Sequence, residues 1–354
     1  MKKYEKLILR LTKELKSGRL KPGDRFYSDN ELIKKFSVSN TTVEYAVREL
    51  VSQGFLRRIR GKGTFVSSLQ RQDIHDTFWM VMQRYGHFHA ELFEALVSSL
   101  QTRGHHSFMY SAAVMSHNRK RAERENIKVF SEIFENSIAA MILNGTQFLP
   151  FDYFVKTKMQ KKMVFVHRLD TDVAIDSACA LSDYYAGGYM AAKHLIDRGH
   201  EKIIIFFHKW VPYNKSAQLL LNGFQDACEE CDLTNDENFR LIFDDESPNN
   251  YESLVSLLKS SWVPTAVFSY GDFRLAGLLP VLREAGISCP EDLALMGYYD
   301  TPWATMLDVP ITSVNLRVDE LARLACDMAL RIGRGEDVHE KHLVTPKIVV
   351  REST

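Results

Sequence analysis

Residues 28–66 read SDNELIKKFSVSNTTVEYAVRELVSQGFLRRIRGKGTFV, and this stretch decides how the front of the chain folds. Ser28 precedes the apolar set Leu32, Ile33 and Phe36, with Glu31 three residues on, the spacing of a capping box. Ser37-Val38-Ser39 is a tight connection. Ser39 is placed to cap a further helix, whose buried face is Val43, Ala46, Val47, Leu50 and Val51 and which stops at Gly54. Phe55–Arg60 and Thr64–Val66 then read as two short strands around Gly61-Lys62-Gly63. Upstream, Tyr4, Leu7, Ile8, Leu11 and Leu15 mark one helical face that ends at Gly18, and Pro22-Gly23 makes a turn.

Three helices followed by a basic hairpin are the pattern of a winged helix-turn-helix. The third helix can enter a major groove, with Asn40, Thr41, Thr42, Tyr45 and Arg48 among its polar residues. The wing carries Arg57, Arg58, Arg60 and Lys62, which suit phosphates or a minor groove. Hydroxyls of Ser28, Ser39, Thr41, Thr42 and Thr64, and the backbone of Gly61, complete the candidate DNA-binding set. Charge points the same way. The net charge of the 354 residues is zero, but residues 1–70 hold 16 Lys and Arg against 7 Asp and Glu. The remainder holds 29 against 38, so a basic head meets an acidic body.

Gly18, Pro22-Gly23-Asp24, Ser28, Glu31-Leu32, Val38-Ser39, Thr41-Thr42-Val43, Ala46, Leu50, Gly54 and Gly61-Lys62-Gly63-Thr64 form an ordered series. By it, residues 4–68 resemble the DNA-binding head of GntR-family bacterial transcription regulators. The family usually has Arg where this chain has Asn30, Asn40 and Glu44. Arg pairs well with guanine and Asn with adenine, so the departures imply an operator with a less G-centred core. Glu44 suits cytosine N4, exclusion of wrong sequences, or plain solvent exposure.

Behind the head, residues 69–76 are polar and aperiodic, the reading of a linker. Strand and helix patterns then alternate. Thr77–Gln83, Ser107–Tyr110, Ala139–Leu143, Met163–His167 and Val173–Ile175 read as strands, with helices over His89–Arg103 and Glu123–Glu135. In the second half, Lys202–Phe207, Ala266–Ser269 and Leu293–Gly297 read as strands. Ser182–Arg198, Ser216–Glu230, Arg274–Ala285 and Leu316–Arg331 read as helices, the last returning to the first half. Such alternation indicates an α/β class with doubly wound parallel sheets, whose ligands sit beyond the carboxyl ends of strands.

Asp176, the run from Ala191 to Phe206, Gly223-Phe224, the run PTAVFSYGDFRLAGLLPVLREAGISCPEDLALMGYYDTP from Pro264 to Pro302, and PITSVN from Pro310 carry a second resemblance. Residues 77–350 resemble the effector body of LacI/GalR regulators, which shares its fold with periplasmic binding proteins. The resemblance implies two subdomains, one about 77–172 plus 310–340 and the other about 176–308, closing on a small molecule. A GntR head at 1–68 on such a body is similar to the arabinose-repressor architecture. It implies a homodimer that binds double-stranded, near-palindromic operator DNA and lets go when a sugar-like effector binds. Five irregularly spaced cysteines and an N-terminus whose apolar stretch is broken by charges read as cytoplasmic. An activator, a corepressor-dependent regulator, or a body that only dimerises are the other readings.

By the resemblance, Asp272 matches the Asp of an Asn-Asp pair that holds sugar hydroxyls, while Gly271 replaces the Asn. The usual effector Arg and Asp are Leu220 and Tyr299, followed by Asp300. Replacement contacts are sought among Tyr85, His87, Asn144, His167, Arg168, Trp210, Asn214, Lys215, Tyr299, Asp300 and Trp303. Aromatic rings cover the apolar face of a sugar and polar groups fix its hydroxyls.

Other signals are weaker. Tyr189 and Lys193 have the Tyr-x-x-x-Lys spacing of a reductase pair, but no dinucleotide glycine pattern accompanies them. Gly61-Lys62-Gly63-Thr64 lacks the leading half of a phosphate loop. Cys228-x-x-Cys231 has no second pair, so no structural zinc is expected, and His87 and His89 are not read as metal ligands. Neither an enzyme, a cofactor nor a membrane segment is expected. Replacing Asn40 by Ala should flatten base preference at one operator position. The check is anisotropy across an operator substitution panel, and unchanged preference at every position removes Asn40 from readout.

Overall fold

The computed structural model describes the chain except residues 1–2, 17–19, 22, 53–54, 60–61, 67–76, 83–85, 112–118, 136–137, 146–148, 209–213, 234–237 and 245–248. Gly18, Pro22, Gly54, Arg60, Gly61, Tyr85, Trp210 and the expected linker 69–76 therefore lie outside the described residues. Contacts divide the chain into Met1–Asp76 and Thr77–Thr354.

In the first unit, α1 (Lys3–Lys16), α2 (Asp29–Phe36) and α3 (Asn40–Ser52) precede a hairpin of β1 (Leu56–Ile59) and β2 (Gly63–Val66). The capping box forms as read: the Ser28 amide donates to Glu31 at 2.6 Å, and the Glu31 amide donates to the Ser28 hydroxyl at 3.3 Å. Ser37, at φ 50, ends α2 in the left-handed region. The Ser39 hydroxyl accepts from the Thr42 amide at 3.3 Å and so caps α3. The hairpin pairs Leu56 with Val66 and Ile59 with Gly63. Leu7, Leu11, Phe26, Leu32, Val43, Ala46, Val47, Leu50, Leu56 and Val66 bury together beneath these elements.

The second unit has two six-stranded sheets. Lobe one holds β3 (Thr77–Met82), α4 (His87–Gln101), β4 (His106–Ser111), α5 (Arg119–Glu135), β5 (Ala140–Gly145), α6 (Phe151–Lys156), β6 (Met163–Leu169) and β7 (Ala178–Ser182). Lobe two holds α7 (Tyr184–Ile196), β8 (Ile203–His208), α8 (Lys215–Glu229), β9 (Phe239–Asp244), α9 (Asn249–Leu258), β10 (Ala266–Ser269), α10 (Asp272–Glu284), β11 (Ala294–Tyr298), α11 (Trp303–Met306) and β12 (Thr312–Asn315). Then α12 (Val318–Gly333) and β13 (Lys341–Val344) return to lobe one, and β14 (Lys347–Val349) goes back to lobe two.

The orders are β13-β7-β6-β5-β3-β4 and β14-β12-β11-β10-β8-β9. All neighbours are parallel except β12 and β14. In each sheet the order reverses beside the first strand, between β3 and β5 and between β8 and β10, which is where doubly wound sheets open a crevice.

The lobe boundaries differ from those expected. Ala178–Ser182 belongs to the first sheet and Thr312–Asn315 to the second, and the chain crosses a third time between Val344 and Lys347. Val173–Ile175 is no strand. Its alternating exposure imitates one, but it has no ladder partner and packs Val173 and Ile175 against the lobe-one core. The true strand, ACALS, is built of small residues and lacks the β-branched signal. Asp183, at the first crossing, donates its amide to the Val344 carbonyl at 3.0 Å and caps α7 through Ala186 at 2.9 Å.

Helices α7 and α8 cross at the contact of Gly188 with Leu220 and of Gly223 with Tyr185. A Cβ on Gly188 would lie 1.9 Å from the Leu220 carbonyl oxygen, and one on Gly223 would lie 2.0 Å from that of Tyr185. Both glycines are therefore required by close approach. Beside them, Tyr189 donates to Glu230 at 2.5 Å and Lys193 pairs with Asp197 at 3.2 Å, which accounts for the Tyr-x-x-x-Lys spacing as surface packing. No described helix is long and apolar enough to cross a membrane. Gly223→Ala should destabilise the chain by about 2 kcal/mol or more through overpacking. Chemical denaturation checks it, and a loss below the measurement error would show that the helices can part freely.

Candidate functional site

On the head, α3 exposes Asn40, Thr41, Glu44, Tyr45 and Arg48, a continuous stripe at helical spacing. Tyr45 packs on Tyr4 with ring centroids 4.5 Å apart, and Arg48 lies over the Tyr45 ring at 5.3 Å. Asn30 is exposed on α2, and Lys62 is exposed at the wing. Three other candidates are already engaged. Ser28 and Ser39 spend their hydroxyls on caps, and Arg58 pairs with Asp29 of α2. Thr64 is corrected: it is 6% exposed, because residues 23–26 run beside β2 and Phe26 donates to its carbonyl at 2.8 Å. It supports the wing instead of touching phosphate.

In the body, the carboxyl ends of the two sheets meet over a circuit of six rings drawn from both lobes. Phe88 at the start of α4 lies 4.8 Å from Tyr299, Tyr299 lies 5.4 Å from Tyr270, and Tyr270 lies 5.5 Å from Tyr298. Tyr298 is 5.9 Å from Tyr184, Tyr184 is 5.5 Å from His167, and His167 returns to Phe88 at 4.4 Å. Farther out, His87 meets Trp303 edge-on at 5.6 Å.

His167 is fully buried, with Nε2 2.8 Å from the Tyr184 hydroxyl and Nδ1 3.0 Å from that of Ser182. Burial, with His89 and Arg168 nearby, pushes its pKa well down, so the imidazole is neutral. Its φ of 71 and the φ of 94 at Tyr299 place two bulky residues in the left-handed region, the kind of strain that collects at ligand sites. Burial is the largest influence on Arg168 and opposes its charge, but Asp170 3.4 Å away, together with Tyr184, Tyr270 and Tyr299, outweighs it and holds its pKa up. The other oxygen of Asp170 crosses to lobe two, accepting from the Ser216 amide at 3.2 Å and hydroxyl at 2.8 Å. Lys215 extends this clasp to Asp172 and the Thr171 carbonyl.

Asn144 stands apart. It sits near the end of β5, is 2% exposed, and neither its amide nitrogen nor its oxygen has a hydrogen-bond partner among the described residues. A buried amide left without partners is costly, so the bonds it lacks are a place for water or a ligand to supply.

The remaining candidates have other work. Asn214 caps α8 through Ala217. Asp300 is held by Arg351 at 2.7 Å and Asn315 at 2.8 Å. Asp272 is corrected from ligand contact to positioning. One oxygen accepts from the Thr301 amide and hydroxyl at 2.7 and 2.8 Å, the other from Ser313 at 2.6 Å, and the group is 1% exposed. It pins the loop that carries Tyr299. Leu220 is fully buried beneath Gly188, so no polar anchor replaces the usual Arg there.

Phe88, Tyr184, Tyr270, Tyr298, Asp170 and Ser216 escaped the sequence reading. Most stand at or just beyond a strand's carboxyl end, and taking those positions strand by strand finds them. No group of three or more metal-ligating side chains occurs among the described residues.

Residues 3–66 match the model of bacterial regulatory proteins of the gntR family, and residues 192–354 match a periplasmic binding protein-like domain. The chain joins a GntR head to a periplasmic-binding-protein-like body. The arabinose metabolism transcriptional repressor of Geobacillus stearothermophilus is 24% identical, over 99% of this chain and 97% of its own length. The transcriptional repressor PurR of Haemophilus influenzae is 32% identical over 52% of this chain and 54% of its own length. A LacI-family regulator from Enterococcus faecium, solved with bound ribose, superposes with a TM-score of 0.64 at 20% identity, covering 78% of this chain and 98% of that one. The regulator CelR in complex with cellobiose also reaches 0.64, at 21% identity, over 90% and 92%. This GntR-headed protein is a transcriptional regulator and not an enzyme.

Burial pushes the Asp272 carboxyl from its ordinary 3.8 up to about 6, while hydrogen bonds from Ser313 and Thr301 oppose the shift. The folded protein thus holds this proton more tightly than the unfolded chain. Its stabilising contribution is complete below the unfolded value and is lost as pH rises through the folded one. The melting-temperature margin of wild type over Asp272→Asn should shrink from about pH 4 to about pH 7. A constant margin would mean that the carboxyl is ionised throughout.

Proposed function

We propose that this regulator represses genes for the use of a small sugar, with a pentose such as arabinose as the first candidate. The observation that carries this is the end-to-end match to arabinose metabolism repressors, head and body together, from two organisms at 24% and 25% identity. The cleft supports it. Aromatic faces suit the apolar side of a sugar ring, and the Asn144 amide supplies a donor and an acceptor to adjacent hydroxyls. The charged groups described there are already paired within the chain, as Arg168 with Asp170 and Asp300 with Arg351, which favours a neutral ligand.

The regulator acts as a homodimer in the cytoplasm. Each α3 enters a major groove and each wing tracks phosphates of a near-palindromic operator. Sugar binding favours one arrangement of the lobes and costs the heads their joint fit. A hundredfold loss of operator affinity needs coupling of about 2.7 kcal/mol, within the ordinary allosteric range.

The test is fluorescence anisotropy of DNA from its own promoter against scrambled DNA, with and without arabinose and a panel of other sugars, at several salt concentrations. Specific binding that a sugar weakens supports repression and names the effector. Specific binding that a sugar strengthens favours corepression. Specific binding indifferent to all sugars favours a body that only dimerises, the reading that Leu220 and Tyr299 suggest. Asn144→Ala should weaken the effective sugar about tenfold or more, from one or two lost hydrogen bonds. Calorimetry reads this, and undiminished affinity would remove Asn144 from the site.

A further inference from the structure

The far ends of α4 and α12 border an open surface pocket of about 350 Å3 in lobe one, lined by Arg103, His105, Asp327, Leu330, Arg331 and Arg334. It is not the cleft. His87, at the start of α4, meets Trp303 across the lobes, and Arg103 follows the last turn of that helix, about 22 Å of helix away at 1.5 Å per residue.

Three guanidiniums line this space against one carboxylate. Arg103 gives Nη2 to Asp327 at 2.7 Å and Nη1 to Ser99 at 2.6 Å, which leaves its Nε. Arg331 gives Nε to Glu336 at 2.8 Å and Nη1 to Glu340 at 2.6 Å, which leaves its Nη2. These pairs fix the planes of both groups. Arg334 is exposed, and among the described contacts its side chain has no carboxylate partner. Phe78 holds the His105 ring edge-on at 5.3 Å, and buried Leu330 adds an apolar wall.

Forked N–H donors from several arginines match the oxygens of a phosphoryl group better than those of a neutral sugar. The volume fits a small metabolite. We propose that this pocket is a second ligand site, which takes the phosphoryl group of a small phosphorylated molecule. Because α12 begins just after the second crossing between the lobes, an occupant at its far end sits on an element that joins them.

The test is thermal melting of the full-length protein with ribose 5-phosphate, inorganic phosphate, ribose, and sodium chloride at matched ionic strength. A saturable rise with ribose 5-phosphate, kept in Asn144→Ala and weakened at least tenfold in Arg334→Ser, supports the site. The same response to inorganic phosphate alone names free phosphate as a sufficient source. A response no larger than that of chloride, or one kept in Arg334→Ser and lost in Asn144→Ala, overturns it. Arg334 is exposed and outside the described DNA-binding face, so Arg334→Ser should fold and bind operator as the wild type does.

Discussion

Two parallel sheets of the same winding meet through their carboxyl ends, and the chain crosses between them three times. That arrangement brings residues distant in sequence to one place: Phe88 and His167 from one lobe, Tyr270 and Tyr299 from the other. It also explains why polar links across the gap, from Asp170 to Ser216 and from Lys215 to Asp172, come from a loop just past β6 and the first turn of α8. A carboxylate at a helix N-terminus satisfies free N–H groups and meets the positive end of the helix dipole. Opening the lobes therefore breaks a hydrogen-bonded contact as well as ring contacts, while the crossings remain.

The head was legible nearly residue by residue. Its capping box, its third helix and its wing follow from local rules, because caps and turns depend on side chains within three or four positions. Thr64 was misread because its burial depends on residues 23–26 running alongside the wing, a non-local pairing.

The body's class was legible from alternation, and its site was not. Asp272 has the residue type and motif of a sugar ligand, yet its oxygens are consumed by Thr301 and Ser313, which lie 29 and 41 residues on. Asn144 was one candidate among many in the sequence; only burial without a partner sets it apart. The lobe boundary was misplaced because β7 is made of small residues, while the more strand-like Val173–Ile175 has no neighbour to pair with.

The close crossing of α7 and α8 has a consequence for how such a regulator diversifies. The resemblance to LacI-type bodies implies a charged ligand contact at the position of Leu220, but here its backbone is pressed against Gly188 and its side chain lies in the core. A long cation at that position would carry its charge into an apolar core. Change at the crossing is therefore coupled across two helices: neither Gly188 nor Gly223 can gain a Cβ unless the helices part.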